Sequence, residues 1–232
     1  MKITVIGASG LIGTKVVGLL AADGHEVVAA ARSTGVDVLT GEGLGEALTA
    51  ANALVDVTNS PSFEDGPVLD FFTTATTNIV AAAKNGAVGH YVVLSIVGVD
   101  GLPHSGYMRA KVAQEKLLIE SGLPYTIVRA TQFAEFTDAI TGSLTVGDEV
   151  RVPDALIQPI AADRVASEVA LAAVSRPLNG IVNIGGPEKI SFEQMANESL
   201  ARQGDDTKTV VVDSDAEYFG TPLQRNSLVT VD

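Results

Sequence analysis

The sequence predicts an α/β fold: a doubly wound parallel sheet, Rossmann-like, with helices on both faces and a small C-terminal lobe. Three observations carry this. Short β-branched runs alternate with longer Ala- and Leu-rich segments as far as Ala130. The strand segments are continuous apolar runs, as expected where helices cover both faces of a parallel sheet. The connecting loops are short and contain glycine. Crossovers of this kind are right-handed.

In order, Ile3 to Ile6 reads as a buried strand and Leu11 to Ala22 as a helix ended by Asp23-Gly24. Glu26 to Ala31 is a strand, Gly43 to Ala51 a short helix, Ala53 to Val57 a strand and Asp65 to Lys84 a long helix. His90 to Leu94 is a strand, Ser105 to Glu120 a helix and Tyr125 to Val128 a strand. Strand signals then thin to Leu144–Val146, Val150–Val152, Ile181–Ile184 and Val210–Val212. Asp163 is read as the cap of a helix reaching Ser175. Ser191, followed by Glu193 and Gln194, starts another helix that ends near Gly204. The chain is expected to form a single domain over 1–232, with roughly 132–232 contributing the smaller, substrate-binding lobe.

Composition narrows the function. Of 232 residues, 28 are acidic and 15 basic, a net charge of -13 that disfavours nucleic acid and anionic lipid as partners. The expected partner is a small molecule. Cys is absent, which excludes disulfides and thiolate chemistry. His25, His90 and His104 lack ligand spacing, so no metal is expected. No signal-peptide layout and no apolar run of membrane-spanning length is visible, and a cytoplasmic protein is expected.

Gly7-Ala8-Ser9-Gly10-Leu11-Ile12-Gly13 follows the first strand and opens the first helix. Glycine suits a tight turn, close approach to a pyrophosphate and helix–strand packing, and the helix N-terminus offers free N–H groups to the phosphates. Ser9, Gly10, Leu11 and Ile12 would lie along the bound dinucleotide. The second strand ends Ala30-Ala31-Arg32-Ser33-Thr34, with no carboxylate at that corner to hold a ribose 2′-hydroxyl. Arg32 can pair with a 2′-phosphate, and Ser33 and Thr34 can add hydroxyl donors, so the cofactor is read as NADP(H).

Ser95 ends a central strand, at the edge where ligands bind in open α/β sheets. Tyr107 and Lys111 follow, four apart on one helix face. A carbonyl reductase needs a proton donor as hydride arrives at carbon. A phenol, of pKa about 10, serves better beside a cation. Tyr107 is therefore the candidate donor, Lys111 the residue that lowers its pKa and holds the ribose, and Ser95 the group that orients the substrate oxygen.

The Gly-x-x-Gly-x-x-Gly spacing resembles the extended or atypical branch of the short-chain dehydrogenase/reductases. The segments 77–88 and 124–133 resemble the small NmrA-like and NAD(P)H-binding members of that group. The resemblance places Thr131, Gln132 and Phe133 against the nicotinamide, and Thr58 and Asn59 where a third loop passes the cofactor. Ala130-Thr131 stands where relatives have Pro-Gly. The activity implied is NADPH-dependent reduction of a ketone or aldehyde. The alternatives are an NADPH quinone reductase and a non-catalytic, NADP-sensing NmrA-like protein. Asn78 is read as structural, His104 as an exposed loop residue, and Phe63, Phe71, Phe72, Phe133 and Phe136 as a possible cluster over the nicotinamide. Tyr218-Phe219-Gly220, near the C-terminus, is read as a segment that could fold back over the cleft.

Overall fold

The architecture, taken from a computed structural model, is described for residues 1–231. The chain runs β1 (Lys2–Ile6), α1 (Leu11–Ala22), β2 (Glu26–Ala30), α2 (Leu44–Ala47), β3 (Ala53–Asp56), α3 (Asp65–Asn85), β4 (Tyr91–Ile96), α4 (Gly106–Glu120) and β5 (Tyr125–Ala130). It continues with α5 (Thr137–Ser143), β6 (Thr145–Val146), β7 (Glu149–Val152), β8 (Leu156–Ile157), α6 (Ala162–Val174) and β9 (Gly180–Ile184). The last elements are β10 (Ile190–Ser191), α7 (Phe192–Gln203), β11 (Thr209–Val212), β12 (Glu217–Tyr218) and β13 (Thr221–Pro222).

Six parallel strands form the central sheet in the order β2-β1-β3-β4-β5-β9. Strand order reverses between β1 and β3, which opens the crevice where open α/β sheets bind ligands. Ile3, Val5, Val55, Val92 and Val128 face α1 and α6. Ile6, Leu54, Tyr91, Val93 and Ile127 face α2, α3 and α4. Burial on both faces explains why these strands read as unbroken apolar runs.

The residues expected to form the smaller lobe divide. Gly180–Ile184 pairs with β5 as the sixth strand of the main sheet, and α6 packs beside α1 on one of its faces. The remainder builds its own core from Val150, Val152, Ile157, Phe192, Met195 and Leu228, seated against Met108 and Leu102 near the start of α4. The cap of α6 also differs from the expectation. Ala161 is the N-cap, and the Glu135 carboxylate accepts from Ala162 N at 2.9 and 3.0 Å. Asp163 instead accepts from Lys15 Nζ at 2.5 Å. Ser191 does cap α7, its hydroxyl accepting from Gln194 N, and Gly204 ends that helix at φ 66°. Asn78 donates to the carbonyls of Val38 and Leu39, a structural use of its amide.

The C-terminal segment returns to β8, outside the main sheet. Leu156 N donates to Arg225 O at 2.8 Å, and Ile157 bridges Leu228. The buried Gln158 amide accepts from Thr230 N and Thr230 Oγ1 and donates to Gly186 O. This tail crosses the loop after β4, where Gly98 has φ +76° and a Cβ would stand 1.9 Å from Ser227 O. Gly98→Ala is expected to cost about 1–3 kcal/mol, from left-handed strain and displacement of the tail. Urea unfolding checks this, and an unchanged midpoint would contradict it.

Candidate active site

The site is built where β1 and β3 leave the sheet. Gly7 takes φ +84°, and its N–H and that of Ala8 both donate to Ala30 O, at 3.0 and 3.2 Å. A Cβ on Gly7 would stand 2.8 Å from Val57 O, just past β3. A Cβ on Gly13 would stand 2.1 Å from Gly7 O. The turn therefore closes against both its own helix and the neighbouring strand exit. Gly10 is the N-cap of α1 and offers no side-chain acceptor, so the N–H groups of the first turn stay available. Ser9 and Leu11 are exposed beside it, and Ile12 is buried beneath.

The corner after β2 is more crowded than its sequence implied. Arg32 is largely exposed, but its Nε lies 3.4 Å from Asp37 Oδ2, so a carboxylate does stand at this corner. Asp37 is held there because its other oxygen accepts from Leu39 N at 2.8 Å. The Thr34 hydroxyl is turned inward. It accepts from Ala31 N at 2.9 Å and lies 3.0 Å from the carbonyls of Ala29 and Ala31. Its one proton is thus committed to the chain. Ser33 is exposed.

Below the β3 exit lies a buried polar belt. Asp56, 1% exposed, accepts from Thr58 N and Thr58 Oγ1 through one oxygen, and from Tyr91 OH and Gln114 Nε2 through the other. Four donors make this burial of a carboxylate tolerable. Thr58 thus supports Asp56. Asn59 Oδ1 accepts from Tyr107 OH at 2.9 Å, which brings the phenol from the start of α4 to the β3 exit.

Lys111 departs from its expected role. Its ammonium is buried, donates to Leu94 O at 2.8 Å and to Gln114 Oε1, and sits 4.7 Å from the centre of the Phe72 ring. Burial lowers its pKa to about 8, against the raising effect of Asp56 and Glu115. Tyr107 has no such cation to lower it. Burial pushes its pKa up to about 12, so the hydroxyl holds its proton at neutral pH. One helical turn aligned the two side chains, but the lysine stem carries Nζ into the belt.

Ser95 likewise gives its proton to Glu115 Oε1, at 2.5 Å. Arg129 grips the same carboxylate through Nε and Nη2, at 3.0 and 2.6 Å, and reaches Asp100 at 3.1 Å. Glu115, 4% exposed, would be costly to bury without that forked partner. Asp56, Gln114 and Glu115 were not singled out from the sequence as site residues. Glu115 was the legible one, because it lies four residues beyond Lys111 on the same helix face.

Past β5, Thr131 donates to Gln158 O at 2.5 Å and Phe133 stacks on Phe136 at 5.6 Å. Gln132 is 8% exposed, yet neither its Oε1 nor its Nε2 has a partner among the described residues. A buried amide left so costs about 1–3 kcal/mol, and a ligand group carrying both a donor and an acceptor would satisfy it. A nicotinamide carboxamide has that pair. Together with the uncapped helix start, these residues fit a dinucleotide.

The aromatic residues form two groups rather than one. Phe71, Phe72, Tyr107 and Phe63 follow one another with centroids 5.3 to 5.9 Å apart. Phe63 also lies 6.2 Å from Phe219, at the tip of the β12–β13 hairpin. Phe133 and Phe136 pair separately. A cavity of about 400 Å³ opens near Ala134, Pro159 and α7, and neither Tyr107 nor Lys111 lines it. No helix of the described residues is long and apolar enough to cross a membrane.

The profile of a family described as NAD(P)H-binding matches residues 7–177. Among curated proteins, (4-alkanoyl-5-oxo-2,5-dihydrofuran-3-yl)methyl phosphate reductase of Streptomyces griseus is 29% identical over 212 residues, 83% of this chain and 70% of that protein. Photosystem II assembly factor Ycf39 of Cyanophora paradoxa is 28% identical over 147 residues, 57% of this chain. The match spans 46% of that factor, less than half its length. The structure of Thermus thermophilus UDP-glucose 4-epimerase complexed with NAD superposes with a TM-score of 0.71 at 20% identity, covering 98% of this chain and 92% of the epimerase chain. That likeness shows the fold.

The depressed Lys111 pKa has a consequence for stability. Between about 8 and the unfolded value near 10.4, the unfolded chain binds the extra proton, so stability from this group rises with pH. Wild type is therefore expected to gain stability relative to Lys111→Met between about pH 7 and about pH 9.5 in paired urea titrations. A difference that does not change with pH would contradict the burial of a titrating ammonium.

Proposed function

The chain belongs to the NAD(P)H-binding family, and from that premise we propose that it is an NADPH-dependent oxidoreductase that reduces a small carbonyl compound, a ketone or aldehyde, with Tyr107 as proton donor. One observation carries the reading. A protonated phenol stands at the carboxyl edge of the sheet, hydrogen-bonded to Asn59 and bordering the crevice that the Gly7–Gly13 turn opens. The name of the Streptomyces relative, a reductase, supports the reaction class.

When bound, the reduced cofactor supplies the hydride. The chain's own residues do the rest. The first turn of α1 binds the pyrophosphate through its free N–H groups. The exposed Arg32 leaves Asp37 for the 2′-phosphate, a stronger, doubly charged partner, with Ser33 beside it. Gln132 and Phe133 border the nicotinamide. Tyr107 turns its O–H from Asn59 Oδ1 to the substrate oxygen and delivers the proton as that oxygen gains charge. Asp56 and Lys111 fix the floor: the ammonium orders Leu94 O and Gln114, and Gln114 in turn holds Asp56. Ser95, tied to Glu115, sets the height of the β4 exit.

A second reading has its own observation. Lys111 does not reach the phenol, so Tyr107 lacks the cation that would make it a strong donor. Hydride transfer to a quinone, whose product takes its protons readily from solvent, needs such a donor less. The name of the assembly-factor relative states no reaction, and the third reading is accordingly cofactor binding without turnover.

Steady-state kinetics separate these. Tyr107→Phe is expected to lower kcat on aldehydes or ketones about 100-fold or more, with NADPH affinity unchanged. Full retained rate on quinones would favour the second reading, and tight NADPH binding with no turnover of any substrate the third. Arg32→Ala is expected to weaken NADPH binding about tenfold or more and NADH binding less than about twofold. Equal losses would overturn the cofactor preference.

A further inference from the structure

Phe219 is built in a way that its own neighbourhood does not explain. The β12–β13 hairpin turns through Phe219 and Gly220, with φ +49° and +69°. Two residues of positive φ define a turn that favours Asn, Asp or Gly at both positions. A phenylalanine at the first is strained, and such strain concentrates at functional positions. The ring is not withdrawn into the core to offset that strain: Phe219 is 48% exposed, and its neighbour Phe63, from the loop after β3, is 55% exposed.

The two rings lie 6.2 Å apart and 30° from parallel. Phe63 in turn lies 5.3 Å from Tyr107. Behind them the row is anchored at both ends in buried aromatics. Tyr218 meets Phe219 edge-on at 4.7 Å and packs on Phe192, while Phe72 meets Tyr107 edge-on at 5.9 Å. Two separate parts of the chain, the β3 loop and the C-terminal hairpin, thus present half-exposed rings beside the Tyr107 phenol. Just past that loop, Asp65 at the start of α3 pairs with Arg109 of α4 at 2.6 Å.

We propose that Phe63 and Phe219 form an aromatic wall that selects substrates whose carbonyl is carried on a flat, conjugated ring, and that Phe219 is the specificity-determining residue of this wall. The proposal rests on the reductase reading for the identity of the reacting group. Offset stacking against these faces favours a planar ring over a flexible chain of equal carbon number. It also leaves the ring's carbonyl oxygen at the phenol edge of the wall.

The test uses NADP⁺-loaded protein and calorimetric titration of 1,4-naphthoquinone against 2-decanone, which has the same number of carbons. The chain has no Cys that the quinone could alkylate. Phe219→Asn suits the hairpin turn, so the variant is expected to keep or raise its melting temperature. It is expected to weaken naphthoquinone binding fivefold or more and to leave 2-decanone and NADP⁺ binding within twofold. Phe63→Leu is expected to shift binding the same way. Unchanged naphthoquinone affinity in Phe219→Asn would overturn the proposal, and so would equal losses for both ligands. Failure of the reductase reading is distinguishable: selective ring binding that persists without NADPH consumption keeps the wall and removes the reaction.

Discussion

The structure depends on one close approach, that of the turn after β1 to the end of β3. Gly7 can occupy its place only without a side chain, because Val57 O fills the space a Cβ would take. Gly13 lets α1 come down onto the same turn. These two contacts aim the start of α1 into the crevice where strand order reverses, with no side chain to cap it. A helix of twelve residues with an uncapped start costs stability that a Ser or Asp at Gly10 would restore. The uncapped N–H groups make chemical sense as the place for an anion.

Around that crevice the molecule spends its buried polar groups on position. Asp56, Tyr91, Gln114 and Lys111 form one connected set, and Ser95, Glu115, Arg129 and Asp100 another. Each set joins strand exits to α4, the helix that carries Tyr107. Two residues that look catalytic by spacing, Ser95 and Lys111, are the members through which this bracing runs. Their polar atoms are matched within the chain, whereas the amide of Gln132 has no partner among the described residues.

The sheet was legible because its inner strands, β1, β3, β4 and β5, are buried on both faces and its glycines sit where the backbone demands them. What was hidden depends on partners far away in sequence. The five residues of β9 alternate in exposure, and only pairing with β5 makes them part of the main sheet. The acceptor at the start of α6 comes from Glu135, so the nearby Asp163 was a false signal. The Arg32 corner read as free of carboxylates because Asp37 returns to it through a turn fixed by Leu39 N. Lys111 and Tyr107 share a helix face as their spacing required, yet the spacing could not say where a four-carbon stem ends. The hairpin that carries Phe219 lacks the Asn-Gly type of signal, having Phe-Gly in its place.

The claim that the α1 start is kept open for a dinucleotide can be tested at a single position. Gly10 has φ −80° and ψ 175°, suited to a capping Asp, and a Cβ there would meet Gly7 O at 3.3 Å, a small adjustment. Equilibrium titration of NADPH into Gly10→Asp, beside its thermal melt, sets cofactor affinity against helix capping. A carboxylate there occupies the free N–H groups and repels the pyrophosphate. NADPH affinity is therefore predicted to fall at least about a hundredfold while the melting temperature of the unliganded protein holds or rises. Wild-type affinity in that variant would contradict the account.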